Sequence, residues 1–210
     1  MADDYDARLK GSEVRLWALI EERTRPSADT ARIDERIWDL FGEEWAVMFT
    51  DLAGFSRRVA EFGIIHFLQI IYEHKQLLSP IVAAHDGVLI KVEADSFLII
   101  FKRASSAIRC AIAMQHACQD VNKRRRPEEQ VLLCLGIGFG RILRIGDVDV
   151  FGREVNAASK LGEDTAQANE VLLTEAARQA AGELPGVTFE PIDAQVAGSD
   201  RNFRAIYVQR

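Results

Sequence analysis

Two aspartates lie where the sequence pattern predicts that strands end. Asp51 ends an apolar run with β-strand character over 45–50, and Asp95 lies in the tight connection between two further predicted strands. A carboxylate at the end of a buried strand can be reached by a ligand, and backbone amides that follow it can face a phosphate. Its oxygens also suit a hard cation such as Mg²⁺. Each residue has a simpler interpretation: Asp51 can cap a helix that starts near Phe55, and Asp95 can be an ordinary turn residue.

The elements around these aspartates follow the order β–α–β–β–α–β. The predicted elements are the strand that ends at Asp51, a helix over 55–84, strands Gly87–Glu93 and Ser96–Phe101, a helix Ser105–Arg124 and a strand Val131–Phe139. This order is typical of a ferredoxin-like α+β core, in which helices cover one face of an antiparallel sheet. The first strand of such a core neighbours the third, so Asp51 and Asp95 come to one edge of the sheet. There they could hold two Mg²⁺ ions about 3.5–4 Å apart, which indicates chemistry at phosphorus.

Further segments extend this core at both ends. We expect 1–43 to form a helical extension, with helices over 3–25 and Thr30–Phe41, and 44–210 to form the main domain. The predicted C-terminal elements are extended chain over 141–145, a short strand or loop Val148–Phe151, a helix from Gly152 to Leu161, a strand Glu170–Leu173, a helix Glu175–Ala181 and strands Val187–Ile192 and Phe203–Val208. An apolar stripe around Val14 and Trp17 suggests that the first helices assist dimerisation or bind a regulatory partner. The pattern leaves open whether they pack on the main domain or on a second copy.

The composition excludes several classes of protein. The net charge of −6 gives no basic field that would attract nucleic acid. The three cysteines, Cys110, Cys118 and Cys134, match no zinc spacing and indicate no disulfide framework. No apolar run is long enough to span a bilayer, and the acidic first residues do not resemble a signal peptide. We therefore expect a cytoplasmic protein with no membrane span and no nucleic-acid partner.

Three motifs together resemble the class III nucleotidyl cyclases, and the resemblance runs from about Glu44 to Val208. Phe49-Thr-Asp-Leu-Ala-Gly-Phe-Ser56 resembles the first metal motif of that family, and Lys91-Val-Glu-Ala-Asp95 resembles its hairpin motif. Asp149-Val-Phe-Gly-Arg-Glu-Val-Asn-Ala-Ala-Ser-Lys160 resembles its dimer-interface motif. Three motifs in the right order and spacing are a far more specific signal than any one of them.

The resemblance implies a two-metal site in the first two motifs. Asp51 and Asp95 would bind two Mg²⁺ or Mn²⁺ ions per site, helped by the carbonyl oxygen of Leu52. Gly54 and Phe55, which follow in the first motif, would contact the substrate. The active sites would lie at the subunit interface of a head-to-tail homodimer, since each chain carries both halves of a site.

The resemblance also implies the substrate. Lys91 and Asp149 stand where adenylate-type members hold adenine, and a lysine can donate to the ring N1 while an aspartate accepts from the 6-amino group. Guanine presents the reverse pattern, so this pair favours ATP. Asn156 would contact the ribose and orient its 3′-hydroxyl, and Arg141 resembles an arginine that grips the terminal phosphates. The implied reaction is attack of the 3′-oxygen on the α-phosphorus, with release of pyrophosphate and cyclic AMP.

Three residues depart from the family pattern. Ala94 stands in the hairpin where glycine is usual, and Lys160 stands where an arginine usually stabilises the transition state. Ala197 replaces a lysine that binds triphosphate, and Arg201 or Arg204 could substitute for it. These departures keep two alternatives to an adenylate cyclase open: a weakly active or non-catalytic nucleotide-binding protein of the same fold, or a cyclase for GTP or a pyrimidine nucleotide.

Overall fold

The computed structural model describes residues 11–54 and 63–208. Its strands are β1 Gly42–Leu52, β2 Val88–Glu93, β3 Ser96–Phe101, β4 Leu133–Ile145, β5 Asp149–Phe151, β6 Val171–Thr174, β7 Val187–Ile192 and β8 Asn202–Tyr207. Its α-helices are α1 Gly11–Arg23, α2 Thr30–Phe41, α3 Ile64–Ala84, α4 Ala104–Asn122, α5 Arg153–Ser159 and α6 Glu175–Ala181. A 3₁₀ turn covers Pro127–Glu129, and a π-helical turn, Lys160–Thr165, directly continues α5.

The sheet has the strand order β2-β3-β1-β4-β6-β8-β7, and β5 pairs with β4. Its first four strands form the predicted ferredoxin-like core, in which β1 lies between β3 and β4 and is antiparallel to both. The parallel pairing of β4 with β6 attaches the C-terminal strands to this core. The predicted α+β fold, with the first strand beside the third, is therefore confirmed.

The central strand β1 separates two apolar clusters because its side chains alternate between the two faces of the sheet. Ala46 and Met48 face the larger cluster, which includes buried residues of α3 and α4. Trp45 and Val47 face the opposite way, into a smaller cluster that Val155 of α5 helps to form. The face of the sheet that the core order leaves open thus carries α5, the helix of the third motif.

Two glycines of β4 explain why α5 can lie so close to the sheet. Alternating glycines in a strand indicate the close approach of another group. A Cβ atom at Gly136 would lie 2.1 Å from the carbonyl oxygen of Ala158, and one at Gly138 would lie 2.4 Å from that of Glu154. Any larger side chain at these two positions would push α5 away from the sheet.

The N-terminal helices pack on the main domain, which answers the question that their pattern left open. Leu16 and Leu19 of α1 join a cluster with buried residues of α2 and with Ile145 at the end of β4. Val14 and Trp17 lie on the outside, with 55% and 57% of their surface exposed. The predicted role of this stripe in dimerisation or regulator binding stays a prediction, and residues 3–10 of the predicted first helix lie outside the described residues.

Several predicted boundaries move, and two of the changes lie near the site. Strand β4 runs unbroken to Ile145, whereas the pattern predicted a strand Val131–Phe139 that continues as extended chain over 141–145. The helix predicted from Gly152 to Leu161 is regular only to Ser159 and then widens into the π-helical turn. Both differences lie in segments that meet through the glycines Gly136 and Gly162. There, tertiary packing decides the backbone conformation more than the local sequence pattern does.

Candidate active site

The sheet brings Asp51 and Asp95 together. Asp51 lies on the second-last position of β1, and the antiparallel pairing of Thr50 with Phe97 places it beside the start of β3. Asp95 occupies the turn just before β3. The Ser96 hydroxyl donates to Asp51 Oδ1 over 3.4 Å, so the hairpin and the end of β1 are in direct contact.

Asp95 is buried and Asp51 is half-buried, and few groups around them compensate their negative charge. Asp95 is only 6% exposed, and its Oδ2 atom has no hydrogen-bond partner among the described residues. Burial, together with the nearby charge of Asp95, raises the pKa of Asp51 to about 6. Burial also raises the pKa of Asp95, although backbone amide hydrogen bonds and a hydrogen bond from Asp51 oppose this shift. Two carboxylates this close favour sharing a proton or a cation over standing ionised side by side.

The donor set fits Mg²⁺ or Mn²⁺, because carboxylate oxygens are the ligands that these hard cations prefer. Leu52 contributes to the site through its backbone N–H, whose hydrogen bonds lower the pKa of both Asp51 and Asp95. Its carbonyl oxygen as a metal ligand stays a prediction. Within 11–54 and 63–208, no group of three His, Cys, Asp or Glu side chains is compact enough to enclose a metal ion by itself.

The turn that presents Asp95 is strained as expected for an alanine in the place of glycine. Ala94 has a φ of 50°, in the left-handed region that glycine adopts freely. A non-glycine residue in such a conformation costs on the order of 1–3 kcal/mol. The rest of the hairpin therefore holds Asp95 in place against a local preference for another backbone shape.

The predicted base-binding residues also meet. Lys91 Nζ lies 2.5 Å from Asp149 Oδ2, and the two side chains are 33% and 25% exposed. The pairing of β2 with β3 shifts register between Leu89 and Lys91, and such an irregularity re-aims the side chains beyond it. The pair lines a cavity of about 140 Å³ whose other lining residues are Phe49, Glu93, Ser96, Leu98, Val150, Val155 and Glu163. This cavity presents a donor and an acceptor together, as recognition of a purine edge requires.

Asn156 and Lys160 lie one helical turn apart at the exposed surface of α5 and the π-helical turn. Neither side chain makes a hydrogen bond or ion pair with Asp51 or Asp95 within the described part of the chain. Lys160 Nζ lies 2.6 Å from Asp164 Oδ2, and this contact raises the lysine pKa. Both residues are therefore exposed and make no direct contact with the aspartate pair of their own chain.

Arg141 does not lie near the aspartates of its own chain either. Its position on β4 is opposite Glu44, seven residues along β1 from Asp51, or roughly 23 Å at the usual rise of a strand. Its guanidinium stacks 4.9 Å above the ring of Trp38 and donates to the Trp38 carbonyl over 3.2 Å. The predicted grip on terminal phosphates stays a prediction, and in this conformation Arg141 holds the N-terminal extension instead.

The remaining predicted residues are less informative. Gly54 lies in the turn after β1 with a φ of 78°, whereas Phe55 and the predicted start of its helix lie outside the described residues. Arg201 and Arg204, the suggested substitutes for the missing lysine at Ala197, form ion pairs with Glu175 at 2.8 Å and Glu170 at 2.7 Å. Both arginines would have to leave these carboxylates to reach a triphosphate.

Sequence reasoning missed two glutamates, one that lines the cavity and one that attaches α5 to the sheet. Glu163, in the π-helical turn, lines the cavity beside the Lys91–Asp149 pair, and its charge raises the pKa of both Asp51 and Asp95. Glu154 accepts hydrogen bonds from the Phe139 amide and from the buried Thr174 hydroxyl. These two bonds hold α5 against β4. The sequence offers only the acidic pair Glu163-Asp164 shortly after Lys160 as a signal for Glu163. Such a pair is also common at a helix end that faces solvent.

The chain belongs to the family of adenylate and guanylate cyclase catalytic domains, whose model matches residues 42–198. It is 29% identical over 116 residues to a putative adenylate cyclase 3 of Rhizobium meliloti, and 28% identical over 148 residues to the serine/threonine-protein kinase pkn2 of Myxococcus xanthus. These matches cover 55% and 70% of this chain but only 20% and 18% of the relatives. The chain thus spans about a fifth of the length of the curated relatives that it matches.

Solved cyclase structures share the fold. An adenylate/guanylate cyclase/hydrolase from Silicibacter pomeroyi superposes with a TM-score of 0.71 at 23% identity, over 80% of this chain and 98% of the other. The adenylyl cyclase CyaB from P. aeruginosa gives 0.69 at 20% identity, over 80% and 96%. The guanylyl cyclase Cya2 gives 0.65 at 16% identity, over 78% and 90%. Adenylyl and guanylyl cyclases are both among these neighbours, so the fold itself does not select the base.

The described helices include none that is both long and apolar enough to cross a membrane.

Proposed function

We propose that this chain is an adenylate cyclase that converts ATP to 3′,5′-cyclic AMP and pyrophosphate. The observation that carries the proposal is the Lys91–Asp149 pair, which places a donor 2.5 Å from an acceptor in a small half-buried cavity. Adenine accepts at N1 and donates from its 6-amino group, so it can replace this contact with one hydrogen bond to each side chain. A relative named a putative adenylate cyclase supports the same choice of base.

Asp51 and Asp95 would hold two divalent cations, Mg²⁺ or Mn²⁺, and these would supply activation of the ribose 3′-oxygen and neutralisation of the triphosphate. The chain's own part in the reaction is to position the substrate. The burial of Asp95 keeps its oxygens away from bulk water, and Ser96 orients the Asp51 carboxylate. Both effects prepare a site that binds charge without reorganising during the reaction.

The proposal includes a head-to-tail homodimer with two sites at the interface. Asn156 on α5 and Lys160 in the π-helical turn are exposed and make no contact with their own aspartates, so in this proposal a second chain brings its own metal-bound nucleotide to them. In that arrangement Asn156 would orient the ribose, and Lys160 would leave Asp164 to contact the α-phosphate. The role of Arg141 at the terminal phosphates is part of the same proposal.

A second candidate is a nucleotide-binding protein of the cyclase fold with little or no turnover. Two observations favour it: Ala94 strains the turn of the metal site, and Lys160 is engaged by Asp164. A lysine also lacks the planar fork with which an arginine contacts two phosphate oxygens. A cyclase for GTP is a third candidate, since guanylyl cyclases share the fold.

One assay separates these candidates. The purified protein is incubated with each of the four nucleoside triphosphates and Mg²⁺ or Mn²⁺, and the products are identified by mass spectrometry. The proposal predicts cyclic AMP from ATP and its loss in Asp51→Asn, with no loss in the surface control Glu190→Gln. Nucleotide binding without a cyclic product from any triphosphate would support the second candidate, and cyclic GMP as the main product would support the third.

A further inference from the structure

Glu163 is a carboxylate near the aspartate pair with no place in the reaction described so far. It lies in the π-helical turn, next to Gly162, whose added Cβ would lie 3.0 Å from the carbonyl oxygen of Phe49. Phe49 precedes Asp51 by two residues on β1, so this turn is held against the same end of the strand. The Ser159 hydroxyl donates to the Glu163 carboxylate and fixes its position one turn along the helix.

The site also contains a buried acceptor without a partner. Asp95 is 6% exposed, and its Oδ2 atom lacks a hydrogen-bond partner among the described residues. A buried carboxylate oxygen without a partner is unfavourable unless a cation or a water molecule satisfies it. Glu163 increases this excess of negative charge, because it lines the same small cavity as Ser96, which directly follows Asp95 and donates a hydrogen bond to Asp51. A third negative charge destabilises the Asp51–Asp95 pair unless a cation binds beside it.

We propose that Glu163 is a further residue of the divalent-cation site, where it accepts a hydrogen bond from a water molecule of the ion that Asp51 and Asp95 bind. Direct coordination by all three is not the arrangement, because the described residues contain no such compact group of three. Mg²⁺ retains several of its waters in proteins, so a carboxylate beside the site can hold the hydrated ion without touching it. The inference rests on the metal site of the proposed function and adds a residue outside the three motifs.

The test measures metal binding without nucleotide. Free Mn²⁺ is followed by electron paramagnetic resonance during titration of the wild-type protein, Glu163→Gln and Asp51→Asn. We expect Glu163→Gln to weaken Mn²⁺ binding about 10-fold, as the loss of partners around a metal site usually does, with partial recovery in Glu163→Asp. Asp51→Asn should bind weakest. Glu183→Gln removes the same charge from an exposed position elsewhere and should bind as the wild type does.

The outcomes distinguish this inference from the proposed function. Mn²⁺ affinity of Glu163→Gln within twofold of the wild type would overturn the role of Glu163, even if the wild type makes cyclic AMP. A wild-type protein without cyclase activity, whose Mn²⁺ binding still depends on Glu163, would contradict only the proposed function. A tenfold loss in both Glu163→Gln and Glu183→Gln would overturn the role too, because it would reflect net charge alone. Circular dichroism of each variant verifies that it is folded.

Discussion

The metal end and the base end of the site differ in how well their charges are balanced. Asp95 is a buried acid and Asp51 a half-buried acid of like charge, and one oxygen of Asp95 has no partner in the described structure. Lys91 and Asp149 neutralise each other across 2.5 Å. In the proposed function, the metal end takes up a cation that balances its charge, whereas the base end exchanges its internal contact for two hydrogen bonds to the base. Affinity should come from the first region and discrimination between bases from the second.

The largest effect is expected from neutralising the metal end. Asp95→Asn should lower cyclase activity on the order of 10³-fold, comparable to the loss of a preorganised electrostatic group in other active sites. The same change removes a buried like-charge contact, so it should raise the unfolding free energy of the metal-free protein by about 1 kcal/mol. Activity assays measure the loss of turnover, and urea unfolding measures the change in the unfolding free energy. A variant that loses activity and stability together would mean that Asp95 supports the fold and is not an unbalanced site residue.

A buried histidine outside the site sharpens the contrast between functional and structural burial. His74 of α3 is fully buried against the ring of Phe97, with centroids 5.0 Å apart, and burial lowers its pKa to about 4. Below the ordinary pKa of about 6.5 the unfolded chain takes up a proton that the folded chain refuses. The free energy of unfolding therefore decreases as the pH falls from 6.5 to 4, by about 3 kcal/mol in total.

His74→Leu should remove this part of the pH dependence. The free energy of unfolding is measured at pH 7.5 and 4.5 for the wild type and the variant, and the drop between the two should be smaller in the variant by roughly 2–3 kcal/mol. Equal drops in both proteins would show that His74 is protonated in the fold. Cyclase activity at pH 7.5 should stay unchanged, since the side chain lies in the core and outside the cavity.

The base end is tested by exchanging its donor and acceptor. The double variant Lys91→Glu, Asp149→Cys should lower the ratio of kcat/KM for ATP over GTP by at least about 10-fold, because a site built for one hydrogen-bond pattern rejects the other. Mn²⁺ binding without nucleotide should not change. Unchanged base preference would mean that the cavity is not the base pocket, and a loss of Mn²⁺ binding would mean that the two regions are not separate.

The smallest effect concerns the turn that presents Asp95. Ala94→Gly should relieve the left-handed strain and stabilise the protein by about 0.5–1 kcal/mol, after the larger chain entropy of glycine is subtracted. The matched control Ala180→Gly, in an exposed helical position, should destabilise it by about 1 kcal/mol. Thermal unfolding checks both changes. Destabilisation by both substitutions would show that the hairpin does not strain Ala94.

Local pattern and element order were sufficient to predict the core of the fold and the meeting of its two aspartates. The meeting of Asp51 with Asp95 follows from the topology, because a βαββαβ order leaves few ways to arrange the strands. The contact of Lys91 with Asp149 depended on the family resemblance, since nothing in the spacing of residues 58 positions apart predicts it.

The remaining features depend on packing that a single sequence does not display. The π-helical turn at Lys160 forms where Gly162 meets Gly136, and neither glycine alone indicates a wider helix. Glu163 was missed for that reason, since an acid after a helix usually faces solvent. The contact of Arg141 with Trp38 joins two residues 103 positions apart through a ring stack and a backbone carbonyl, and no local pattern predicts a contact over that separation.

The proposed function depends on a shared site in which the two aspartates of one chain meet Asn156 of a second chain. The most direct test mixes two inactive variants, Asp51→Asn and Asn156→Ala, and measures cyclic AMP formed from ATP by mass spectrometry. We expect that wild-type protein makes cyclic AMP, that each variant alone makes almost none, and that activity returns on mixing, because heterodimers contain one intact site. Mixing that restores no activity, although subunits exchange, would contradict it.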